Sequence, residues 1–207
     1  MSAGDAQSPN VVWHAGALSR ERRWEALGSG GATIWFTGLP ASGKSTIAVA
    51  LEARLLQSGH PAYLLDGDNL RHGLNGNLGF EPGDRKENIR RTAHVARMFA
   101  DAGVVALVSL VSPYRADRDL ARALHADDDL PFLEVWVSTT AEECARRDPK
   151  GLYARAQRGE IRGLTGVDAP YEVPESPELE IGGEVAIDDA VERVLAALPP
   201  PGRTLTR

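Results

Sequence analysis

A glycine-rich loop between an apolar run and a helical stretch is the part of the chain whose residue types most clearly imply chemistry. Residues 38–45 read Gly-Leu-Pro-Ala-Ser-Gly-Lys-Ser, which fits the Walker A pattern of Gly, any four residues, and Gly-Lys-Ser/Thr. The backbone N–H groups of such a loop surround phosphates at a helix N-terminus, where the helix dipole also favours anions. Lys44 would then reach the β- and γ-phosphates, and the Ser45 hydroxyl would ligate Mg²⁺. A chance match is the alternative, but residues 33–36 predict the preceding strand and the residues from 44 onward the following helix that the motif requires.

Two carboxylates follow the second predicted strand. Asp66 and Asp68 come directly after the apolar run 62–65, and ligands of parallel sheets bind beyond the carboxyl ends of the strands. If the chain were still extended there, both side chains would point to the same side and face the cleft. One carboxylate could then act on an acceptor hydroxyl while the other holds a Mg²⁺-bound water or orients a neighbouring residue. Asp-Gly-Asp is also an ordinary turn sequence, and this alternative stays open.

The stretch after these carboxylates carries side chains that suit an anionic, aromatic acceptor. Arginine forks bind phosphate or sulfate, a phenyl ring offers a face to a planar base, and an asparagine bonds polar edges. The candidates are Arg71, Phe80, Arg85, Asn88, and Arg90 or Arg91. A nucleotide would use all of these groups, whereas a neutral sugar would not need them. Alternatively, the helical arginines are exposed partners of acidic residues four positions away.

A basic segment, residues 148–166, interrupts the alternation of predicted strands and helices. It contains Lys150, Arg155, Arg158 and Arg162, with three glycines among them. Basic groups on a segment that can move suggest a lid that closes over phosphates and excludes water. A solvated basic surface loop is the alternative, since charge runs often have no further role.

Hydrophobic periodicity predicts strands that alternate with helices. The predicted strands are 33–36, 62–65, 104–110, 132–137 and 179–181. The predicted helices are 19–26, one from 44 that ends before Gly59, 85–101, 116–124, 141–147 and 186–198. This alternation predicts an α/β fold with helices on both faces of a doubly wound, mostly parallel sheet. Together with the Walker A loop after the first strand, it indicates the P-loop nucleoside triphosphate hydrolase type. We expect a tail and a short helix in residues 1–30, one domain in residues 31–198, and a tail in residues 199–207.

The composition limits the partners and the chemistry. The 207 residues are 43% hydrophobic and carry a net charge of −6 at pH 7, so no global basic field attracts nucleic acid or an anionic membrane. No apolar run approaches membrane-spanning length and residues 1–5 show no signal-peptide pattern, from which we expect a cytoplasmic protein. The lone Cys144 excludes an internal disulfide and is expected to be buried. Zinc chemistry is not expected because His72 and His94 match no ligand set, nor is a Ser-His-Asp hydrolase because no Gly-x-Ser-x-Gly elbow is present.

Five stretches of the chain together resemble adenylylsulfate kinase, also called APS kinase. They are FTGLPASGKST at 36–46, LLDGDNLRHGLNGNLGF at 64–80, DRKENIRR at 84–91, ADAGVVALVSLVSPYRADRD at 100–119 and RDPKGLYARAQRGEIRGLTGVDAPYEVPE at 147–175. Residues 11–14 also match the family, so the resemblance covers most of residues 11–197. It is therefore far more specific than a phosphate-binding loop alone.

This resemblance implies a reaction and a set of site residues. The implied reaction uses ATP and Mg²⁺ to phosphorylate the ribose 3′-hydroxyl of adenosine 5′-phosphosulfate (APS), which gives 3′-phosphoadenosine 5′-phosphosulfate (PAPS) and ADP in sulfate assimilation or activation. The residues implied in catalysis are Lys44, Asp66, Asp68 and Ser112, the last by substrate contact rather than as a phosphoserine. Those implied at ATP are Gly38, Leu39, Pro40, Ala41, Ser42, Gly43, Lys44, Ser45, Thr46 and Arg147, with Ser45 also at Mg²⁺. Those implied at APS are Asp68, Asn69, Arg71, Phe80, Arg85, Asn88, Val111, Ser112, Lys150, Gly163 and Leu164.

One position departs from the family's pattern. Leu164 stands where the family usually has Phe before Thr-Gly. A stack between two aromatic rings would become one ring and an aliphatic wall, which would weaken adenine binding by about 1 kcal/mol. The departure bears on substrate affinity rather than on the type of reaction.

Two other functions stay open on the residues alone. The chain could be another small-molecule kinase, with a nucleoside, a nucleotide or a sugar as acceptor, or a nucleotide-binding module without turnover. We also expect a homodimer. An ATP sulfurylase is expected as a functional partner outside the polypeptide shown, because no such domain fits within it.

Overall fold

The computed structural model describes residues 11, 12, 14 and 16–198. The predicted tails at residues 1–10 and 199–207 lie outside the described residues, as do Trp13 and Ala15. Within the described ranges, no helix is both long enough and apolar enough to span a membrane.

A parallel five-stranded sheet forms the centre of the structure. Its strands are β1 (Ala32–Thr37), β2 (Ala62–Asp66), β3 (Val105–Ser109), β4 (Phe132–Val137) and β5 (Leu179–Ile181). They lie in the order β2-β3-β1-β4-β5, and all neighbours are parallel. After β1, the chain forms β2 and β3 on one side of β1. It then crosses to the other side of β1, where it forms β4 and β5. Such a change of direction opens a ligand crevice at the carboxyl ends of the central strands.

Helices connect these strands and cover both faces of the sheet. They are α1 (Arg20–Leu27), α2 (Lys44–Gln57), α3 (Gly67–Leu70), α4 (Pro82–Ala102), α5 (Arg115–Ala126), α6 (Ala141–Arg147), α7 (Leu152–Gln157) and α8 (Ile187–Ala197). One apolar cluster packs α2 and α8 on one face, with Leu51 and Val194 fully buried. A second cluster packs α4 and α5 on the other face, with Ala93 and Ala121 fully buried. β1 is buried along its whole length, and the predicted doubly wound α/β fold is confirmed.

The predicted elements are confirmed with small shifts in their ends. β4, β5 and α6 have the predicted bounds. α4 begins at Pro82 rather than at residue 85, because the fixed φ and the missing N–H of proline suit a first helical turn. α3 and α7 were not predicted, since four and six residues are too few to show a helical periodicity.

β2 is an edge strand, and a side chain of α2 caps its outer side. The Leu64 N–H donates to Glu52 Oε1 at 2.8 Å. This contact satisfies a strand N–H group that faces away from β3. The opposite side of β2 pairs with β3, so that Asp66 lies opposite Ser109.

Candidate active site

The loop between β1 and α2 forms a concave cradle in which Ala41 and two glycines have positive φ values. Gly38 and Gly43 have φ values of 148° and 108°. A Cβ atom on Gly38 would lie 2.6 Å from the carbonyl oxygen of Val137, so no larger residue fits there. α2 begins at Lys44, directly after Gly43. The free N–H groups of its first turn therefore lie at the loop, where they can hold anionic oxygen atoms.

The Lys44 ammonium group lies inside this loop. Its Nζ donates to the carbonyl oxygens of Gly38 at 3.0 Å and Leu39 at 2.7 Å, and to Ser42 Oγ at 3.2 Å. Burial lowers the pKa of Lys44 to about 8, although the nearby Asp66 acts in the opposite direction. Because only neutral oxygen atoms surround the ammonium directly, an anion in the loop would favour its charged form.

Three oxygen-bearing side chains meet beside the loop. Ser45 Oγ donates to Asp66 Oδ2 at 2.8 Å and lies 3.1 Å from Ser109 Oγ. Hydroxyl and carboxylate oxygens are ligands that suit Mg²⁺. The described part of the chain contains no group of three or more His, Cys, Asp or Glu residues that could hold a metal. A Mg²⁺ ion at Ser45 would therefore be bound largely through water and phosphate oxygens, as is common for this ion.

The chain is not extended between Asp66 and Asp68, so the condition for a shared orientation of their side chains is not met. Asp66 is the N-cap of α3, and its Oδ1 accepts the Asp68 N–H at 3.0 Å. The chain turns here because an N-cap aspartate satisfies a free helical N–H group. The two carboxylates consequently have different neighbours: Asp66 contacts Ser45, whereas Asp68 forms an ion pair with Lys150. Both nevertheless line the same cleft.

Two arginines and a phenylalanine form one wall of this cleft. The guanidinium carbons of Arg71 and Arg85 lie 4.1 Å and 5.7 Å from the centroid of the Phe80 ring. Arg71 also donates to the carbonyl oxygens of Leu78 at 3.0 Å and Gly79 at 2.8 Å, which fixes its orientation. Phe80 is 63% exposed. The wall thus offers an open aromatic surface beside two cations.

Three polar residues of α4 divide between the cleft and the surface. Asn88 lines the cleft and is buried, and its Nδ2 has no hydrogen-bond partner within residues 16–198. Arg90 and Arg91 instead pair with Glu87 at 2.7 Å and 2.8 Å, and these two bonds lower the pKa of Glu87 to about 2. The alternative given for the helical arginines therefore describes Arg90 and Arg91, but not Arg85.

A buried ion pair supports the loop after β3. Arg118 Nε donates to Glu134 Oε1 at 2.7 Å, and the other two guanidinium nitrogens donate to the carbonyl oxygens of Ser112 and Glu172, also at 2.7 Å. Ser112 has a φ of 40°, and its Oγ accepts the Trp35 Nε1–H at 3.1 Å. These contacts hold Ser112 in the wall of the cleft in a conformation that few serines adopt.

The basic segment contains groups that face the cleft and one that does not. Lys150, Arg155 and Arg162 line the cleft. Arg158 is exposed and pairs with Glu160 at 2.5 Å. The alternative of a solvated basic surface loop therefore applies to Arg158 but not to the three residues that line the cleft.

Besides the ion pair of Lys150 with Asp68, two hydrogen bonds attach the basic segment to the rest of the cleft. Tyr153 Oη donates to the carbonyl oxygen of Pro40 at 3.1 Å, and Arg85 donates to the carbonyl oxygen of Gly163 at 2.7 Å. Leu164 is 8% exposed and belongs to a small apolar cluster with Tyr153. The segment is thus joined both to the phosphate loop and to the arginine wall.

Arg147 lies at the end of α6, close to the phosphate loop. Its guanidinium donates to the carbonyl oxygens of Ser42 at 3.3 Å and Gly183 at 2.7 Å, and its Nε pairs with Glu143 at 2.8 Å. Cys144 on the same helix is fully buried, as predicted, and burial raises the pKa of its thiol.

The phosphate loop, the arginine wall and the basic segment enclose a cleft of about 990 Å³. The predicted site residues that line it are Pro40, Ala41, Ser42, Gly43, Lys44, Ser45, Thr46, Asp66, Asp68, Arg71, Phe80, Arg85, Asn88, Val111, Ser112, Arg147, Lys150, Gly163 and Leu164. Gly38 and Leu39 lie behind the wall and contribute carbonyl oxygens to Lys44, and Asn69 is exposed on α3. Their predicted ligand contacts stay predictions.

Two buried hydroxyl groups of the cleft wall were not predicted. Ser109 interrupts the apolar run 104–110, and a polar residue near the carboxyl end of a buried strand is a signal that the sequence offers. Thr165 is 1% exposed, and its Oγ1 has no hydrogen-bond partner in the part of the chain that the structure describes. No pattern in the sequence distinguishes Thr165.

The cleft and the parallel sheet define a P-loop kinase, because donor phosphates have a cradle on one side and an anionic acceptor has paired arginines on another. The sequence profile of the family described as "Adenylylsulphate kinase" matches residues 30–182. An adenylyl-sulfate kinase from Clostridium kluyveri is 49% identical over 192 residues, which cover 92% of this chain and 95% of that protein. The chain therefore belongs to the adenylylsulphate kinase family.

Solved structures of APS kinases share the fold. The APS kinase CysC of Mycobacterium tuberculosis, solved in complex with AMPPNP and APS, is 50% identical with a TM-score of 0.80, and the match covers 82% of this chain and 98% of that chain. The hexameric APS kinase from Thiobacillus denitrificans is 35% identical with a TM-score of 0.63, and the match covers 82% of this chain and 29% of that chain. The predicted resemblance is thereby confirmed.

Proposed function

We propose that this chain transfers the γ-phosphoryl group of ATP to the ribose 3′-hydroxyl of APS, which produces PAPS and ADP. The observation that carries the proposal is that the phosphate loop and the wall of Arg71, Phe80 and Arg85 line one cleft together with Asp66 and Asp68. Phosphoryl transfer depends mainly on the positioning of two substrates and on the stabilisation of charge. Membership of the adenylylsulphate kinase family supports the same reaction.

The donor side of the proposed reaction uses the phosphate loop. Its N–H groups bind the triphosphate, and Lys44 pairs with oxygen atoms of the β- and γ-phosphates. Ser45 holds Mg²⁺, which neutralises charge on the phosphate oxygens when it is bound. Arg147 stands beside the loop and contacts ATP from the end of α6.

The acceptor side uses the arginine wall. Arg71 and Arg85 attract the phosphosulfate, and the exposed ring of Phe80 stacks on the adenine. Asn88 donates its unpartnered Nδ2 hydrogens to a polar edge of the substrate. Leu164 supplies an aliphatic surface in place of a second ring, so we expect APS to bind about 1 kcal/mol more weakly than with Phe at this position.

The different neighbours of the two carboxylates suggest different roles. Asp66 contacts Ser45 and therefore serves the donor side. Asp68 accepts the hydrogen bond of the 3′-hydroxyl and takes up its proton while the bond from that oxygen to the γ-phosphorus forms and the bond to the β,γ-bridging oxygen breaks. Lys150 is paired with Asp68 across the cleft. The basic segment acts as a lid that excludes water during the transfer.

An ADP-release assay with a panel of acceptors tests the proposal. We expect ADP release from ATP with APS, and not with adenosine, AMP or gluconate. Lys44→Ala should lower the rate by about 1,000-fold because it removes a positive charge at the transferred group. Asp66→Ala should lower it by at least about 100-fold because it removes the carboxylate that orients Ser45. The control is His72→Ala, an exposed residue outside the cleft wall, which should keep the wild-type rate.

Other outcomes of this assay would overturn the proposal. ADP release with another acceptor and none with APS would assign a different kinase activity. ATP binding without ADP release for any acceptor would indicate a nucleotide-binding module. Full turnover in Lys44→Ala and Asp66→Ala would reject the assigned roles.

The assembly and the setting of the enzyme are also proposals. The hexameric relative supports self-association, and we propose a homodimer. The need for ATP supports a cytoplasmic location, and APS would come from an ATP sulfurylase activity. Light scattering after size exclusion should give about twice the 22.2 kDa of one chain, and a monomer would contradict the dimer.

A further inference from the structure

Ser109 is a buried hydroxyl that the proposed reaction does not use. It is the last residue of β3, whose other four residues are apolar and whose five residues are all buried. Ser109 is 4% exposed, and a buried hydroxyl is stable in such a place only if it is hydrogen-bonded. Its Oγ lies 3.1 Å from the Oγ of Ser45, the residue assigned to Mg²⁺.

The direction of the hydrogen bonds around Ser45 follows from the single hydrogen that its hydroxyl group can donate. The Ser45 hydroxyl has one hydrogen and two acceptor lone pairs. The hydrogen points to Asp66 Oδ2 at 2.8 Å, because an ionised carboxylate can only accept. The contact with Ser109 must then use the Ser109 hydrogen, and one lone pair of Ser45 remains free.

The fold fixes both partners of Ser45. Asp66 is held by its cap on α3, where Oδ1 accepts the Asp68 N–H. Ser109 is held by the sheet, in which it pairs with Phe36 on one side and with Asp66 on the other. The two partners therefore restrict rotation about the Cα–Cβ bond of Ser45 from two directions.

We propose that Ser109 is a positioning residue for Mg²⁺. Its hydroxyl donates to Ser45 Oγ and, together with Asp66, directs the remaining lone pair of Ser45 towards the metal. Ser109 itself touches neither the metal nor the phosphates. The inference rests on the proposed Mg²⁺ site at Ser45, and it is independent of which acceptor is phosphorylated.

Binding of a non-hydrolysable nucleotide tests the inference without turnover. Calorimetry measures the affinity for the β,γ-imido analogue of ATP at increasing Mg²⁺ and in EDTA, with no APS present. Mg²⁺ should increase the affinity for the analogue, and Ser109→Ala should raise the Mg²⁺ concentration that gives half of this increase by about 3- to 10-fold. This is the range expected for the loss of one hydrogen bond. The affinity in EDTA should stay within about 1.5-fold of wild type. Ser109→Cys fills the site with a slightly larger side chain that donates only weakly, so it should change in the same direction.

A double-mutant cycle separates this role from an independent one. Ser45→Ala should remove much of the Mg²⁺-dependent enhancement. If Ser109 acts through Ser45, adding Ser109→Ala to that variant should change the Mg²⁺ requirement by less than about 1.5-fold. Full additivity of the two substitutions would overturn the inference.

The matched control is Ser138→Ala. Ser138 directly follows β4 at the same edge of the sheet, and its Oγ contacts the Ile181 carbonyl oxygen rather than Ser45. This variant should bind the analogue as wild type does with and without Mg²⁺. An unchanged Mg²⁺ requirement in Ser109→Ala, or an equal loss of affinity in EDTA and in Mg²⁺, would reject the positioning role. If wild type showed no Mg²⁺ enhancement at all, the metal site at Ser45 itself would be rejected, whatever the acceptor assay shows.

Discussion

Lys44 is the residue whose environment most directly sets how the protein responds to pH. It is 7% exposed and bonded to neutral oxygen atoms, and burial lowers its pKa to about 8. A bound triphosphate stabilises the ammonium form and raises that pKa again. The binding of nucleotide and the binding of a proton are therefore linked.

We predict that the affinity for the ATP analogue falls as the pH rises above about 8. Only protonated Lys44 attracts phosphate oxygens, so at pH 8 binding should take up about half a proton from the buffer, and more at pH 9. Calorimetry in two buffers with different ionisation enthalpies measures this uptake. Lys86→Gln, at an exposed position of α4 outside the cleft wall, should leave it unchanged. Binding without proton uptake between pH 8 and 9 would contradict the assigned environment.

At the scale of elements, one arginine joins α4 to the basic segment. Arg85 Nε donates to the Phe80 carbonyl oxygen at 2.8 Å while another nitrogen donates to the Gly163 carbonyl oxygen. Gly163 belongs to a tight turn in which its N–H donates to Asp168 Oδ2 at 2.8 Å. The planar guanidinium can serve both carbonyl groups at once, whereas an ammonium group cannot match this geometry.

We predict that Arg85→Lys loosens the basic segment and weakens the binding of APS. The charge stays, but one of the two bonds is lost, so the dissociation constant for APS should rise by up to about 10-fold. Hydrogen exchange should become faster in residues 148–166 and remain unchanged in β1. The matched control is Arg90→Lys, an exposed arginine of the same helix that pairs with Glu87. Equal exchange in the Arg85 and Arg90 variants would show that Arg85 does not hold the segment.

At the scale of the whole molecule, a buried histidine links folding to pH. His125 of α5 is fully buried. Its Nδ1–H donates to the Ala121 carbonyl oxygen at 2.7 Å, so that Nε2 is left to accept from Thr33 Oγ1 at 2.8 Å. Its ring lies 5.0 Å from the ring of Phe132, centroid to centroid. Burial lowers the pKa of His125 to about 4, with Arg97 acting in the same direction.

We predict that the free energy of unfolding falls by about 3 kcal/mol as the pH drops from 6.5 to 4, because the unfolded chain binds the proton first. Above pH 6.5 the histidine is neutral in both states, so the contribution is complete there. Urea unfolding between pH 6.5 and 4.5 measures this effect, to which His94 adds a loss of the same sign because burial also lowers its pKa. Glu87, with its pKa of about 2, acts mainly at lower pH. The loss of unfolding free energy across this range should be smaller in His125→Gln than in wild type and unchanged in His72→Gln, and the difference is the contribution of His125. A flat wild-type curve would contradict the prediction.

The sequence predicts most of the fold because the signals for it are local. β4 has the predicted bounds, since Pro131 and Ser138 flank a run that is apolar except for Glu134. The phosphate loop is likewise a contiguous motif with strand and helix on either side. α3 escapes prediction because it depends on a single aspartate cap rather than on periodicity.

Side-chain contacts between distant parts of the chain escape prediction for a different reason. Ser45 and Ser109 are separated by 64 positions, and Arg85 and Gly163 by 78. The register of the sheet and the path of the basic segment bring these residues together, and no local pattern encodes either. The sequence therefore predicts the residue types of the site, while their separate roles come from the packing.

The Glu52 contact on the outer strand has a consequence for how copies of the chain can associate. An edge strand with free N–H and C=O groups can pair with a strand of another chain, which is a common route to aggregation. With the Leu64 N–H already bonded to the Glu52 carboxylate, the middle of that border offers no free donor to an incoming strand. Continuation of the sheet by a strand of a second chain is therefore disfavoured at this edge.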